Sequence, residues 1–403
     1  MKNGLVLCLA AVSSAVLGES VLTPVNELGY GTVSMRLQTL SMYRDYENAT
    51  PGNAYSTTAG LLFGYTSPEL SGFSVGGTWI YAEPLDASDD SRNGKTLLSN
   101  GRVNLLNEAW VQYRFGAVGL TNTFVKAGRQ VINGELFRAD EIRQKPRSLE
   151  AVQLTVKDLP GLSVTVGHAW RLSNVLDNED SWRFNDFEEV LTPGKGYDSR
   201  GITWGEMTYT GVTHLQAALY EAYVHDIANV FGGRARYAVT DRTALLAYFQ
   251  HANSVQSAES VDPFDSDMFS AAIEQKIGRV TLESGWFGVH GDSMLFHEMT
   301  TGLNHPMGNS LMVYAGHFNG GADSAYLKAT TKVGKTFLYM LYNYTWQNDS
   351  TMNEGQEINF VVKQPLFDNF SATFKYGAGY RDGSNGADDT VATDARLFLT
   401  YNF

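Results

Sequence analysis

The sequence predicts an all-β fold: a transmembrane antiparallel β-barrel of about 18 strands, with short periplasmic turns and long extracellular loops. Three observations predict it. Apolar and polar residues alternate along many short segments, the connections alternate between short and long, and beyond the first 20 residues no apolar run is long enough for a membrane-spanning helix. A barrel strand needs this alternation because one face contacts lipid and the other contacts water. We expect residues 19–403 to form this single barrel.

The final strand shows the alternation most clearly. Leu397 and Tyr401 fall on one face and Arg396 falls on the other, with Phe398 as the one apolar exception among the polar residues. The aromatic end at Phe403 resembles the targeting signal of bacterial outer-membrane barrels. Taken alone, the segment would also suit a half-buried edge strand of a soluble sandwich.

The N-terminus predicts a secretory signal peptide over residues 1–18. Lys2 supplies the positive start, Leu5–Val16 is apolar, and small residues follow near Gly18. The only cysteine, Cys8, lies inside this segment, so we expect a mature chain without disulfides or thiol chemistry.

Composition narrows the function further. Acidic residues outnumber basic ones by 43 to 30, and the net charge of -13 argues against a nucleic-acid partner. The 21 tyrosines and 21 phenylalanines favour a protein with aromatic belts at membrane interfaces. Outer-membrane lipid and lipopolysaccharide are therefore the expected surroundings.

Eighteen segments alternate well enough to be predicted as strands, and both termini are expected on the periplasmic side, which requires an even number. The segments are 29–43, 54–66, 72–83, 104–115, 121–130, 148–158, 161–172, 200–210, 213–225, 229–239, 243–253, 266–278, 279–290, 323–334, 335–347, 354–364, 370–381 and 391–403. Sixteen strands remain an alternative if the weak pair 200–210 and 213–225 is misassigned. The apolar piece 309–318 would be a nineteenth strand, so the even number places it in a long outer loop or in an extension of the strand that follows.

A barrel of this size implies a channel. Eight strands fill their own interior, whereas 16 to 18 leave an aqueous pore. The sequence therefore predicts passive diffusion of small polar solutes or ions, which needs no cofactor. No spacing supports a catalytic triad, so we do not predict an enzyme.

The segment 131–147, between the fifth and sixth predicted strands, is expected to fold into the barrel and narrow it. Opposed charges across a narrow gap would create a transverse field that orients polar solutes. The alternative is a solvated outer loop. The charged residues of this segment are Glu135, Arg138, Asp140, Glu141, Arg143, Lys145 and Arg147.

Strand parity also places basic residues on inward faces. Arg234 and Arg236 alternate with Phe231 and Tyr237, so both are predicted to face the lumen. A charge on the lipid face would cost about 2–4 kcal/mol at the bilayer midplane. The residues assigned inward on this basis are Arg171, Arg234, Arg236, Lys375, Arg381 and Arg396.

The motif around the predicted constriction is similar to one in a known family. Ala127-Gly128-Arg129-Gln130, followed by Asp140, Arg143, Pro146 and Ser148, resembles the GRQ…D-x-R-x-x-P-x-S/T segment of the OprD-type porins. The resemblance implies an 18-stranded channel for small polar solutes, often carrying a carboxylate, that are guided by lumenal arginines. The eyelet residues it implies are Arg129, Arg138, Arg143, Lys145 and Arg147. The surroundings of Lys145 and Glu150 depart from the family pattern, which leaves the solute open.

Two alternatives of other classes remain. The barrel could be a surface adhesin or structural barrel whose long loops bind partners. It could also be an outer-membrane hydrolase with His290 or His297 at its rim. The sequence leaves the oligomeric state open between monomer and trimer.

Overall fold

The structure, a computed structural model, describes most of the chain outside the N-terminal segment and some of the loops. The described residues are 26–28, 30–46, 53–85, 103–137, 143–174, 183–192, 194–256, 258, 263–293, 316–348, 352–383 and 388–403. The predicted signal peptide, residues 1–18, lies outside them. Within these ranges, no helix combines the length and the apolar character needed to cross a membrane.

Eighteen long strands pair in an antiparallel ring, each hydrogen-bonded to its neighbours along the chain. Short strands β1 (Asn26–Leu28) and β9 (Asn185–Asp186) add to the ends of two of them. The long strands are β2 (Gly31–Tyr46), β3 (Asn53–Thr66), β4 (Phe73–Pro84), β5 (Val103–Arg114), β6 (Phe124–Gln130), β7 (Ser148–Leu159), β8 (Leu162–Ser173), β10 (Ile202–Tyr209), β11 (Leu215–Val224), β12 (Ala228–Ala238), β13 (Thr243–Ser254), β14 (Asp265–Ile277), β15 (Val280–Gly291), β16 (Ala322–Val333), β17 (Thr336–Gln347), β18 (Gly355–Pro365), β19 (Phe370–Arg381) and β20 (Thr390–Asn402).

The ring closes because the last strand pairs with the first long strand. β20 runs antiparallel to β2, with Arg36 opposite Asn402 and Tyr46 opposite Ala392. Closure leaves no sheet edge, which satisfies the backbone hydrogen bonds that lipid could not satisfy. The predicted closed barrel of 18 strands is confirmed, and the alternative of 16 is wrong.

Few other elements are present among the described residues. Gly316–Phe318, at the end of the apolar piece 309–318, forms a 3-10 helix in a long connection, while residues 309–315 lie outside the described ranges. A 3-10 helix also spans Phe115–Val118. An α-helix, α1, spans the five residues Phe187–Leu191 in the connection between β8 and β10.

The two faces of the strands differ as alternation predicts. On β2, the side chains of Leu37 and Tyr43 are both 44% exposed, whereas those of Arg36 and Gln38 are buried. The exposed apolar side chains mark the outer, lipid-facing surface, and the buried polar ones mark the lumen. On β20, Phe398 is buried with the polar residues, as its position in the alternation requires.

An inward-facing ion network joins the first and last strands of the ring. The Asp394 carboxylate is fully buried and accepts hydrogen bonds from Arg44 Nη2 at 2.7 Å and from Arg396 Nε at 2.8 Å. Each arginine makes a second bond to the same carboxylate. One acid thus links β2 and β20 across the closure.

Replacing Asp394 by asparagine should destabilise the barrel by about 3–5 kcal/mol, because two arginines would lose their shared charged acceptor while remaining buried. The measurement is the free energy of unfolding from denaturant titration in detergent. Asp388→Asn, at an exposed position between β19 and β20, is the matched control and should have little effect. Equal stabilities of the two variants would contradict the role given to Asp394.

Candidate functional site

The connection between β6 and β7 carries the residues that the sequence singles out. Residues 131–137 and 143–147 are described, and most of their side chains are buried. Arg138, Asp140 and Glu141 lie outside the described residues. The two described parts contact different walls of the barrel.

Apolar side chains fix the first part. Ile132, Leu136 and Phe137 belong to a buried cluster with wall residues that include Leu172 and Trp204. The rings of Phe137 and Trp204 meet edge to face, with their centroids 5.0 Å apart. Burying three apolar side chains is worth about 1.5–3 kcal/mol each, which is enough to hold a short connection against a wall.

Charged contacts fix the same part to β10 and β12. Arg234 Nε and Nη2 donate to the two carboxylate oxygens of Glu135 at 2.8 and 2.9 Å. The Glu135 backbone N–H donates to Glu206 Oε2 at 2.7 Å. Gly134 leaves room for this contact, because a Cβ there would displace the Glu206 carboxylate. Glu135 is 6% exposed, so its ion pair with Arg234 is largely withdrawn from water.

The second part contacts β2 and β3. Gln144 Nε2 donates to Thr58 Oγ1 at 2.5 Å and Gln38 Nε2 donates to Gln144 Oε1 at 3.3 Å. Arg143 Nη1 lies 2.8 Å from the sulfur of Met42. Gly60 makes room for this approach, since a Cβ there would stand 2.7 Å from Gln144 Oε1.

These two sets of contacts lie on opposite walls. Counting strands around the ring, β12 is nine pairings from β2 in either direction. Residues 135 and 144 are nine positions apart, and an extended chain of that length reaches about 30 Å. The segment therefore has contacts at both ends of a diameter of the barrel.

Lys145 and Arg147 lie where the segment returns to β7. Lys145 Nζ donates to the carbonyl oxygens of Pro146 and Ser173, at 3.2 and 3.4 Å. Burial lowers the pKa of the Lys145 ammonium well below its usual value, and the nearby Arg147 guanidinium lowers that pKa further. Arg147 Nη2 donates to Asn174 Oδ1 at 3.4 Å. Both side chains thus contact the wall at the outer end of β8.

Two further residues from the sequence analysis lie on the inner wall with partners. Arg236 Nη2 contacts Glu274 Oε1 at 2.6 Å, forming an ion pair between β12 and β14. Lys375 stands opposite Arg396 in the pairing of β19 with β20, and its Nζ lies 5.4 Å from the centre of the Phe398 ring.

The inner wall formed by β19, β20 and β2 is strongly basic. Asp394 is the one carboxylate on the inward positions of these three strands. The basic residues at those positions are Arg36, Arg44, Lys375, Arg381 and Arg396.

Arg129 and Arg171 lie elsewhere, and the inward assignment of Arg171 is wrong. The pairing of β7 with β8 shifts register between Glu150 and Ala151, and this bulge reverses the alternation. Leu172 is therefore buried, whereas the Arg171 side chain is 51% exposed. Arg129 faces the same way as Glu150, its partner across the strands.

These residues form a row of alternating charge on four adjacent strands. Arg129 Nε lies 2.9 Å from Glu150 Oε1, and Arg171 Nε lies 3.1 Å from Asp186 Oδ1. Arg171 Nη1 also lies 3.9 Å from Glu150 Oε2. The opposite charges of this row cancel. Because the row lies on the outer face, Arg129 and Arg171 are not part of the basic inner wall.

Several site residues were missed from sequence. Arg36, Arg44 and Asp394 follow the inward parity of β2 and β20, so alternation alone could have identified them. Glu206 and Gln144 had no comparable sequence signal, because their contacts with Glu135 and Thr58 join parts of the chain that are far apart in sequence.

Comparisons with known proteins agree with this geometry. Residues 30–333 match the family model described as outer membrane porin, OprD family. The chain is 24% identical to Porin-like protein GalP of Pseudomonas putida over 94% of both chains. A crystal structure of a BenF-like porin from Pseudomonas fluorescens superposes with a TM-score of 0.75 at 18% identity, covering 93% of this chain and 98% of the other.

A second solved structure, Pseudomonas aeruginosa OccK2 (OpdF) in complex with glucuronate, superposes with a TM-score of 0.71 at 16% identity, covering 93% of this chain and 99% of the other. The likeness to these structures extends over nearly the whole ring. The chain belongs to the OprD family of outer-membrane porins, channels for small solutes in the bacterial outer membrane.

Proposed function

We propose that the 131–147 segment is the constriction of a passive diffusion channel, and that the basic inner wall gives this channel a preference for small anionic solutes, carboxylates in particular. The observation that carries the proposal is the pair of contacts on opposite walls, Glu135 with Arg234 and Gln144 with Thr58. A segment fixed at both ends of a diameter would narrow the pore at that height.

Charge supports the choice of solute. On the β12 side, Arg234 and Arg236 are neutralised by Glu135 and Glu274. On the β2 side, the inward basic residues of three strands exceed their one carboxylate by four. In a pore with low-dielectric walls, this excess of basic residues on one side would attract anions. It would also orient a solute that carries one charged and one neutral end. A carboxylate suits arginine because the two groups can form paired hydrogen bonds.

The relatives are consistent with this solute class. The OccK2 structure was determined with glucuronate, a sugar carboxylate. The family and fold are those of a channel rather than an enzyme, and they do not favour the adhesin or the rim hydrolase. Because the ring closes within one chain, each chain would carry its own pore, alone or in a trimer.

The solute preference is tested by liposome swelling with solutes of similar size and different charge. Glucuronate should enter faster than glucose, and glucosamine should enter more slowly than glucose. Protein-free liposomes give the baseline. Equal rates for the three sugars, or a faster rate for glucosamine, would refute an anion-preferring channel.

Arg234→Met should release one end of the segment and increase both the mean single-channel conductance and the current noise in planar bilayers. Removing one partner of a buried ion pair costs about 3–5 kcal/mol, enough to shift the segment between bound and free positions. Arg236→Met is the matched control, since Arg236 lies on the same strand but pairs with the wall residue Glu274. Identical traces for both variants and the unmodified chain would contradict the constriction.

Arg143→Ala combined with Arg147→Ala should reduce the anion preference, because it removes two cations from the segment. The measurement is the reversal potential under a salt gradient. Arg242→Ala, at an exposed position in the turn between β12 and β13, removes a cation far from the segment and should leave the reversal potential unchanged. An unchanged potential in the double variant would place both arginines outside the conduction path.

A further inference from the structure

A histidine and two aspartates meet on the outer surface of the barrel, at the end with the long loops. His251 Nδ1 lies 3.0 Å from Asp267 Oδ1 and 3.7 Å from Asp265 Oδ1. His251 and Asp267 are direct partners in the pairing of β13 with β14. These side chains are between 41% and 73% exposed, so a solute ion can reach them.

The geometry points to a site for a divalent transition-metal ion such as Zn²⁺, which we propose for His251, Asp265 and Asp267. Zinc binds imidazole nitrogen and carboxylate oxygen at about 2.0–2.2 Å, so neighbouring ligand atoms in a tetrahedral site stand about 3.3–3.6 Å apart. The observed separations of 3.0 and 3.7 Å lie close to that spacing. One ligand from each of these residues could therefore bind a single ion after small side-chain rotations, with a fourth position open to solvent.

The charge around the site favours a cation. Asp265 and Asp267 share one face of β14, and the Asp265 backbone N–H donates to Asp292 Oδ2 at 2.8 Å, which brings a third carboxylate close. The sequence contains no lysine or arginine in residues 243–275 or 280–327. These ranges cover all of β13 and β15, nearly all of β14, and the connections at their outer ends. Like charges on one surface repel, and a bound divalent ion would remove that repulsion.

The position in the barrel suits an exposed ion site. Directly below it on the same outer face, Phe249 pairs with Phe269, which is 42% exposed. Exposed aromatic side chains mark the interface between lipid tails and headgroups. His251 and Asp267 therefore lie at headgroup height, where water reaches a metal and its open coordination position.

The test is isothermal titration of Zn²⁺ into the whole barrel in detergent, after chelator treatment and removal of lipopolysaccharide. We expect His251→Ala to raise the dissociation constant of the site at least about tenfold, and Asp267→Asn to do the same. His225→Ala is the matched control, because His225 lies at the same end of the barrel with its Nε2 near Thr203 Oγ1 and should leave Zn²⁺ binding unchanged.

Single-channel conductance of each variant confirms that the barrel is folded. Zinc binding that persists in millimolar Mg²⁺ supports a nitrogen ligand, since Mg²⁺ prefers oxygen ligands. The proposal is overturned if the unmodified barrel binds no Zn²⁺ at micromolar concentration, or if His251→Ala and His225→Ala bind it equally well. Neither result would bear on the constriction, whose contacts lie inside the barrel.

Discussion

Closure of the sheet between β20 and β2 is the constraint on which the rest of this structure depends. In lipid, an unpaired strand edge would leave backbone groups without partners, at several kilocalories per mole each. Closure gives every strand two neighbours and separates an outer face from an inner one. Asp394, held by Arg44 and Arg396, stabilises that junction from the inside. The junction also carries five inward basic residues and one inward carboxylate on β19, β20 and β2, so the closure and the excess of inward basic residues lie on the same three strands.

Inside the barrel, the described parts of the 131–147 segment contact two opposite walls, Glu135 at Arg234 and Gln144 at Thr58. On the wall, Arg236 forms an ion pair with Glu274. These opposite charges cancel, so the pair contributes little to the electric field in the lumen. The segment supplies Arg143 and the contacts that hold it. Glycines at both ends, Gly134 and Gly60, allow polar groups of the segment and the wall to approach closely. Width and charge of the pore would therefore depend on a few contacts rather than on the whole barrel.

The outer surface follows a different rule, because its charged groups must lie beyond the lipid tails. The row Arg129, Glu150, Arg171 and Asp186 pairs its charges on adjacent strands. The sequence around His251, Asp265 and Asp267 contains no lysine or arginine, and the negative charge there favours a bound metal ion. Arg129 and Arg171 thus have carboxylate partners on neighbouring strands, whereas Asp265 and Asp267 have no lysine or arginine nearby in the sequence.

The sequence by itself determined the number of strands, the two faces of most of them and the inward position of Arg234, Arg236 and Arg396, because alternation is a local property of an extended chain. Tertiary structure decided the rest. The bulge at Trp170, which has no partner between Glu150 and Ala151, reversed the expected face of Arg171, since a register shift depends on the neighbouring strand. Likewise, Glu135 meets Arg234 across 99 positions of chain, and only folding brings two residues so distant in sequence within hydrogen-bond distance.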